Sequence, residues 1–428
     1  MENVYPNSDN LTTTLPTRTE VLGLSWHLIF LPLLVYPTIC LLLRYHRLRQ
    51  TLEEFPYTTR KSFASMTNEH ALHIQQNLSQ LEFPTIFEKA LQFALFRTYG
   101  IPSISKLLVH TGEFSEAANA TKRYADTSLL IAEFMCYDPS SERSVEAIGR
   151  MNFIHSQYQK AGKISNDDML YTLSLFALEP ARWINKYEWR KLEEFENCAV
   201  GTFWKGLGDA MGINYGKLKS SEWTDGLHWL DEVNEWSEGY EKEKMVPDLN
   251  NNKTADQTVA ILLWNIPDAL KPFGTKVVSA LMDDRLRTAM MYEKPSQFYF
   301  TLLANMFTIR KYILRYFCLP RPYVFRYHLL SDEPSKENTY FMKTWEAHPW
   351  YVKPTLRNLF GPLAWISWLR GLPLPGDEGE KYWPNGYKIE QVGPNIMRGK
   401  GAEYWKESKE GLARERGRGC PFGRAKVE

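Results

Sequence analysis

No two of the five cysteines in this chain stand at CxxC spacing. Cys40, Cys136, Cys198, Cys318 and Cys420 are scattered and odd in number. That pattern excludes a disulfide scaffold and a zinc-ribbon class, and it points to a reducing compartment for the main domain. No GxSxG elbow, P-loop or HExxH occurs, so the nucleophile elbow of serine hydrolases, the phosphate cradle of nucleotide hydrolases and the zinc-peptidase helix are missing. An excess of one charge is missing too. Lys and Arg number 51 against 50 Asp and Glu, a formal +1, which gives no global reason to expect nucleic acid as a partner. No long stretch alternates apolar and polar residues as a half-buried strand would, and nothing repeats at a fixed period.

What is present is apolar and aromatic. Hydrophobic residues make up 44% of 428 and aromatics 14%, too apolar for disorder and long enough for a sizeable core. Residues 22–43, LGLSWHLIFLPLLVYPTICLLL, hold no Asp, Glu, Lys or Arg. About 20 apolar residues span a bilayer core as a helix, and Pro32 and Pro37 are tolerated better there than in a soluble helix. A cleaved signal peptide is the rival reading. Against it stands the segment 1–21, acidic through Glu2, Asp9 and Glu20 where a short basic region is required. Arg44, Arg47 and Arg49 follow the run. Positive charge on that side predicts a single-pass helix with a luminal N-terminus and a cytosolic catalytic region. Asn10, in Asn-Leu-Thr, is then a usable glycosylation site.

Five regions follow: a luminal segment 1–21, a transmembrane helix 22–43, a basic linker 44–60, a helical domain 61–318, and a Pro-rich C-terminal extension 319–428. Helical spacing predicts helices near 66–80, 85–98, 121–136, 140–162, 166–177, 190–212, 224–243, 254–265, 279–291 and 296–317. Eleven of the 24 Pro lie from 320 onward, so the extension reads as an irregular wrap around the helical domain. The fold class is all-α. The segment 298–318 has two readings, a buried core helix or an amphipathic helix in contact with a membrane, because Arg310, Lys311 and Arg315 interrupt its apolar run.

Several motifs carry less than they first promise. GRGCPFG at 417–423 has the Gly, Arg and Cys of a heme-thiolate loop, but only eight residues follow Cys420, too few for the required helix. KGLGDAMG at 205–212 lacks dinucleotide spacing and a preceding strand, so Gly206 and Gly208 read as close helix packing. His70 and His73 in NEHALH have no third ligand in view. MDDRLRTAM at 282–290 reads as an ion-pair network or as a site for carboxylates and polar substrate groups. His155 differs from these. It shares a helix face with Ile148 and Met151, so its imidazole needs a hydrogen-bond partner, a cofactor or a metal. Glu133 and Arg150 are also set in apolar-periodic helices, and Arg150 is expected to flank a pocket that His155 enters.

Five segments, LEFPTIFEKALQFALFRTYGIPSIS (81–105), KRYADT (122–127), RMNFIHSQYQKAGKI (150–164), GTFWKGLGDAMGI (201–213) and MDDRLRTAM (282–290), resemble the fungal endoplasmic-reticulum-bound oxygenases of mycophenolic acid biosynthesis, and through them the rubber oxygenases, or latex clearing proteins. The likeness runs from the anchor to the C-terminal Cys-Pro-Phe. It implies a globin-related helical domain, heme b and its iron as cofactor, and O2-dependent cleavage of a carbon–carbon double bond. The resemblance also implies site residues: His155 as an iron ligand with its second ring nitrogen held by an acceptor, Arg123 and Thr127 beside the cofactor, Glu133 as a base for an allylic proton, and Arg150 steadying charge on oxygen or a propionate. The proximal His of the rubber oxygenases falls on a segment that here has none, since no His occurs between 156 and 227. Either His155 is the axial ligand, or the cofactor is held differently, or heme is absent.

The expected function is a membrane-anchored oxygenase of secondary metabolism in the endoplasmic reticulum, acting with O2 on a lipophilic, prenylated intermediate. The alternative is a non-catalytic, membrane-tethered helical protein that binds a hydrophobic ligand or partner, with His155 as a core residue.

Overall fold

The computed structural model describes residues 18–112, 117–417 and 419–422, with the backbone alone for 18–32 and 117–118. Asn10 and residues 1–17 of the expected luminal segment lie outside the described residues. The fold is all-α. Among the described residues no strand forms, and β-pairing is limited to isolated bridges such as Tyr340–Tyr387 and Met342–Val352.

Helix α1 (Arg18–Glu54) takes in the apolar run and continues through Arg44, Arg47 and Arg49. Among the described residues no helix is long and apolar enough to cross a membrane. Side chains 22–32 of the expected span lie outside that description. The short α2 (Arg60–Phe63) and α3 (Asn68–Gln76) follow. Thr67 caps α3 by accepting from the His70 amide at 3.1 Å. Helices α4 (Pro84–Thr98) and α5 (Pro102–His110) both open on Pro, whose missing N–H costs nothing at the first helical position.

Four helices then build the centre: α6 (Ala117–Cys136), α7 (Glu142–Lys160), α8 (Asn166–Tyr187) and α9 (Glu194–Ala210). Ser141 caps α7 by accepting from Ser144 N, and Gly162 follows its end at φ 65°. The reading of 166–177 stopped ten residues short, because α8 passes through Pro180. Helix α8 lies against α4, α9 and, from the next group, α10. Apolar burial on several sides holds it together where propensity alone predicts a break.

The remaining domain helices are α10 (Gly226–Lys244), α11 (Leu249–Leu262), α12 (Lys271–Leu281), α13 (Asp284–Ala289) and α14 (Gln297–Phe317). The single helix predicted over 279–291 is thus two, divided where Asp283 caps α13 by accepting from Leu286 N at 3.0 Å. MDDRLRTAM is an ion-pair network: Glu241 takes Arg97 at 2.7 Å and Arg285 at 3.2 Å, and Asp283 also meets Arg97. The glycines of α9 serve close approach. A Cβ on Gly206 would collide with the Asn68 side chain of α3, and one on Gly201 with the Gly226 backbone of α10.

Beyond α14 the chain is irregular apart from α15 (Leu356–Phe360), α16 (Pro362–Leu369), α17 (Ala402–Arg416) and a few single turns. It is fastened to the helical domain by polar bonds. Tyr351 donates to Asp126 at 2.6 Å, and α17 lies along α7. Cys420 donates to the Ala64 carbonyl at 3.2 Å, beside the start of α3.

Candidate active site

An apolar cavity of about 200 Å³ opens between α4, α5, α6, α7, α8 and α9. Leu130, Ile154, Leu173, Phe176, Trp204 and Leu207 supply much of its wall. Phe176 stacks on Trp204 with ring centroids 5.3 Å apart. His155 enters from α7, while Arg123 and Thr127 enter from α6. These three of the five sequence-derived site residues meet at one cavity.

The His155 imidazole lacks the full hydrogen bonding of a satisfied core residue. Its Nδ1 is buried and has no hydrogen-bond partner among the described residues. Burial, with the Arg123 charge adding to it, pushes the ring down to about 4, so at neutral pH the imidazole is uncharged and one nitrogen keeps a free lone pair. The acceptor expected to orient the second nitrogen is not found at Nδ1. Arg123 itself takes part in no salt bridge among the described residues. The Thr127 hydroxyl donates back to the Arg123 carbonyl at 2.9 Å, which fixes its rotamer on the cavity wall.

A second chamber, of about 110 Å³, adjoins the first. Leu95, Thr127, Ile131 and Phe176 line both. Its far side carries Gln80, Glu88, Tyr327 and Leu329.

No family model matches the chain. Among characterised proteins it is 46% identical over 400 residues to the ER-bound oxygenase mpaB′ of Penicillium brevicompactum, an alignment covering 92% of this chain and 95% of that protein. The ER-bound oxygenase mpaB of the same fungus is 43% identical over 385 residues, 89% and 91% of the two chains. The ER-bound oxygenase mpaB of Penicillium roqueforti (strain FM164) is 51% identical over 262 residues, 61% of this chain and 88% of that one. The chain belongs to the ER-bound oxygenase family. It is therefore an oxidoreductase, and the non-catalytic alternative is set aside.

In this oxygenase the other two expected catalytic residues sit elsewhere. Glu133 is fully buried and takes Arg143 in a paired contact, Nη2 to Oε1 at 2.8 Å and Nε to Oε2 at 2.9 Å. Tyr387 Oη also donates to it at 2.6 Å. With its oxygens so engaged, Glu133 ties the extension to α6 and α7, and it lines neither chamber. Arg150 donates to the carbonyls of Val392 at 2.7 Å, Lys400 at 2.7 Å and Met397 at 3.0 Å. Its guanidinium is engaged with the extension, and Arg150 does not line the cavity. Periodicity placed both residues on inward faces but could not say which neighbour each face meets.

Sequence reasoning missed Glu88. It lines the second chamber and accepts from Tyr327 Oη at 3.0 Å. Burial first, and the Glu346 charge second, push its carboxyl up to about 7, against the opposing Lys89 charge and the Tyr327 bond. Its one sequence signal, a carboxylate within the apolar helix 84–98, resembles an ordinary amphipathic face, and its Tyr327 partner lies 239 residues away.

Proposed function

We propose that this oxygenase uses O2 to cleave a carbon–carbon double bond in the side chain of a lipophilic, prenylated intermediate of secondary metabolism. Family membership supports the oxygenase class, and the cavity supports the substrate class. A polar substrate would lose its hydration among Leu130, Phe176 and Leu207 without regaining hydrogen bonds. An isoprenoid chain gains about 25 cal/mol for each Å² it buries there. The two chambers in series suit an elongated molecule.

The cofactor in this reading is heme b, and the helical domain is globin-related. The unpartnered Nδ1 of His155 in an apolar cavity carries the reading. Among the described residues no group of three or more His, Cys, Asp and Glu could hold a metal ion. A macrocycle would supply the remaining ligands of an iron held by one imidazole. Arg123 suits the carboxylates of such a group, and Thr127 lies one helical turn beyond it. Bound iron would supply the activation of O2. The chain's own residues keep the imidazole neutral, hold the substrate along apolar walls and exclude water.

The relatives are named ER-bound, and we extend that location to this chain. Residues 22–43 form the single-pass anchor in this reading, with Asn10 luminal and the catalytic domain cytosolic. Arg44, Arg47 and Arg49 on the domain side support that orientation.

The test is spectroscopic. Purified full-length protein should show a Soret band, and a His155→Ala variant with unchanged far-UV circular dichroism should lose it. Normal heme content in that variant removes His155 as the ligand. O2-dependent turnover of prenylated phenols by iron-free, heme-free protein would overturn the heme reading.

A further inference from the structure

Helix α14 is apolar on its outer face as well as its inner one. Met306, Ile309, Ile313 and Phe317 follow one another at steps of three and four residues and are all exposed, Ile309 at 59%. Leu303 is its one fully buried residue. Its inner face carries Leu303, Phe307 and Leu314 against the core, and Arg310 beside them reaches Glu188 Oε1 at 2.8 Å. A helix on a water-facing surface keeps its apolar residues on the inner face and polar residues outward. The chain beyond it is exposed and apolar as well, through Leu319, Tyr323, Val324 and Phe325.

This surface continues onto α1. The two helices pack together, Tyr36 donating to the Phe317 carbonyl at 3.1 Å and Arg44 to the Cys318 carbonyl at 2.9 Å. Exposed Leu33, Leu34, Ile39 and Leu42 lie on the α1 side of the junction. Arg47, Arg49, Arg321 and Arg326 gather next to it in the chain. Apolar surface bordered by Arg and studded with Tyr is the pattern of a lipid interface. A patch of this extent on a water-facing protein marks an interaction site.

We infer that the exposed face of α14, with residues 319–325, is a second membrane contact that lies in the bilayer interface beside α1. The occupant is lipid, because the apolar surface of α14 adjoins exposed Leu33, Leu34, Ile39 and Leu42 of α1 and because cations border it. The surface also has a consequence for access, which rests on the proposed function. Tyr327, just past the exposed segment, donates its amide to the Gln80 carbonyl at 2.8 Å, and both residues line the second chamber. Seating 319–325 in lipid brings that chamber to the membrane, so that a lipophilic substrate enters without crossing water.

Full-length protein reconstituted into phosphatidylcholine–phosphatidylserine vesicles that carry a diazirine on the acyl chain tests the contact. After irradiation, adducts should map to peptides from 297–325 as well as to 33–43. Adducts confined to 33–43, or cross-linking of 297–325 to a second copy of the chain in place of lipid, would overturn the inference. An Ile309→Lys/Ile313→Lys double variant should lose the 297–325 adducts and keep those at 33–43; unchanged labelling would also overturn it. Adducts at 297–325 in a protein that shows no oxygenase turnover would leave the membrane contact standing and count against the function of the cavity.

Discussion

The Tyr327 hydroxyl donates to the Glu88 carboxylate at 3.0 Å across the wall of the second chamber. The bond joins α4 to the segment that leaves the apolar surface of α14. It favours the ionised carboxylate, yet burial and Glu346 outweigh it and Glu88 is held up to about 7. Glu88 therefore binds a proton in the folded chain at pH values where an unfolded glutamate has already lost it.

The sign of the resulting pH dependence follows. Between about 4.5 and 7 the folded state holds more protons at this site than the unfolded state, so the contribution of Glu88 to stability falls as pH rises through that window. Urea denaturation at pH 5 and pH 8 should show a loss of the order of 1–2 kcal/mol that a Glu88→Gln variant lacks. Tyr327→Phe removes a bond to the charged form and should move the window upward.

Glu133→Ala should destabilise the fold by roughly 3–5 kcal/mol, because it leaves the Arg143 guanidinium and the Tyr387 hydroxyl without their shared acceptor. Oxygenase turnover per folded molecule should stay unchanged. Full stability with lost turnover would instead restore Glu133 as a catalytic base.

Arg150→Lys should fail to replace Arg150, since one ammonium cannot reach three carbonyls in the fork that a guanidinium fills. Hydrogen exchange should rise across 392–401 in the variant, with α4 and α8 little changed.

Two glycine replacements should differ in sign. Gly206→Ala drives a Cβ into Asn68 and should cost about 1–3 kcal/mol. Gly239→Ala, in the interior of α10 with nothing within 4 Å of the new carbon, should raise stability by about 0.5–1 kcal/mol. Paired thermal melts measure both.

The sequence by itself determined the all-α class, most of the helix positions, the apolar N-terminal run and the candidacy of His155. These follow from local chemistry: periodicity of 3.6 residues, caps such as Ser141 before α7, and an imidazole placed on an apolar face. It also marked Arg123 and Thr127 through a resemblance, and the cavity brings both beside His155. The tertiary structure alone decided which inward-facing charges have partners. Glu133, Arg150 and Glu88 are alike along the chain, each a charged residue in an apolar helix. Partners from the distant C-terminal extension separate them: Tyr387 closes over Glu133 with Arg143, three extension carbonyls take Arg150, and Glu88 is left on a chamber wall beside Tyr327. The same holds for α14. Its pattern favours a core helix over a membrane-contacting one, but periodicity aligns apolar residues into a stripe without saying what the stripe will face. Only packing against α1 and the bond from Arg310 to Glu188 turn that stripe outward.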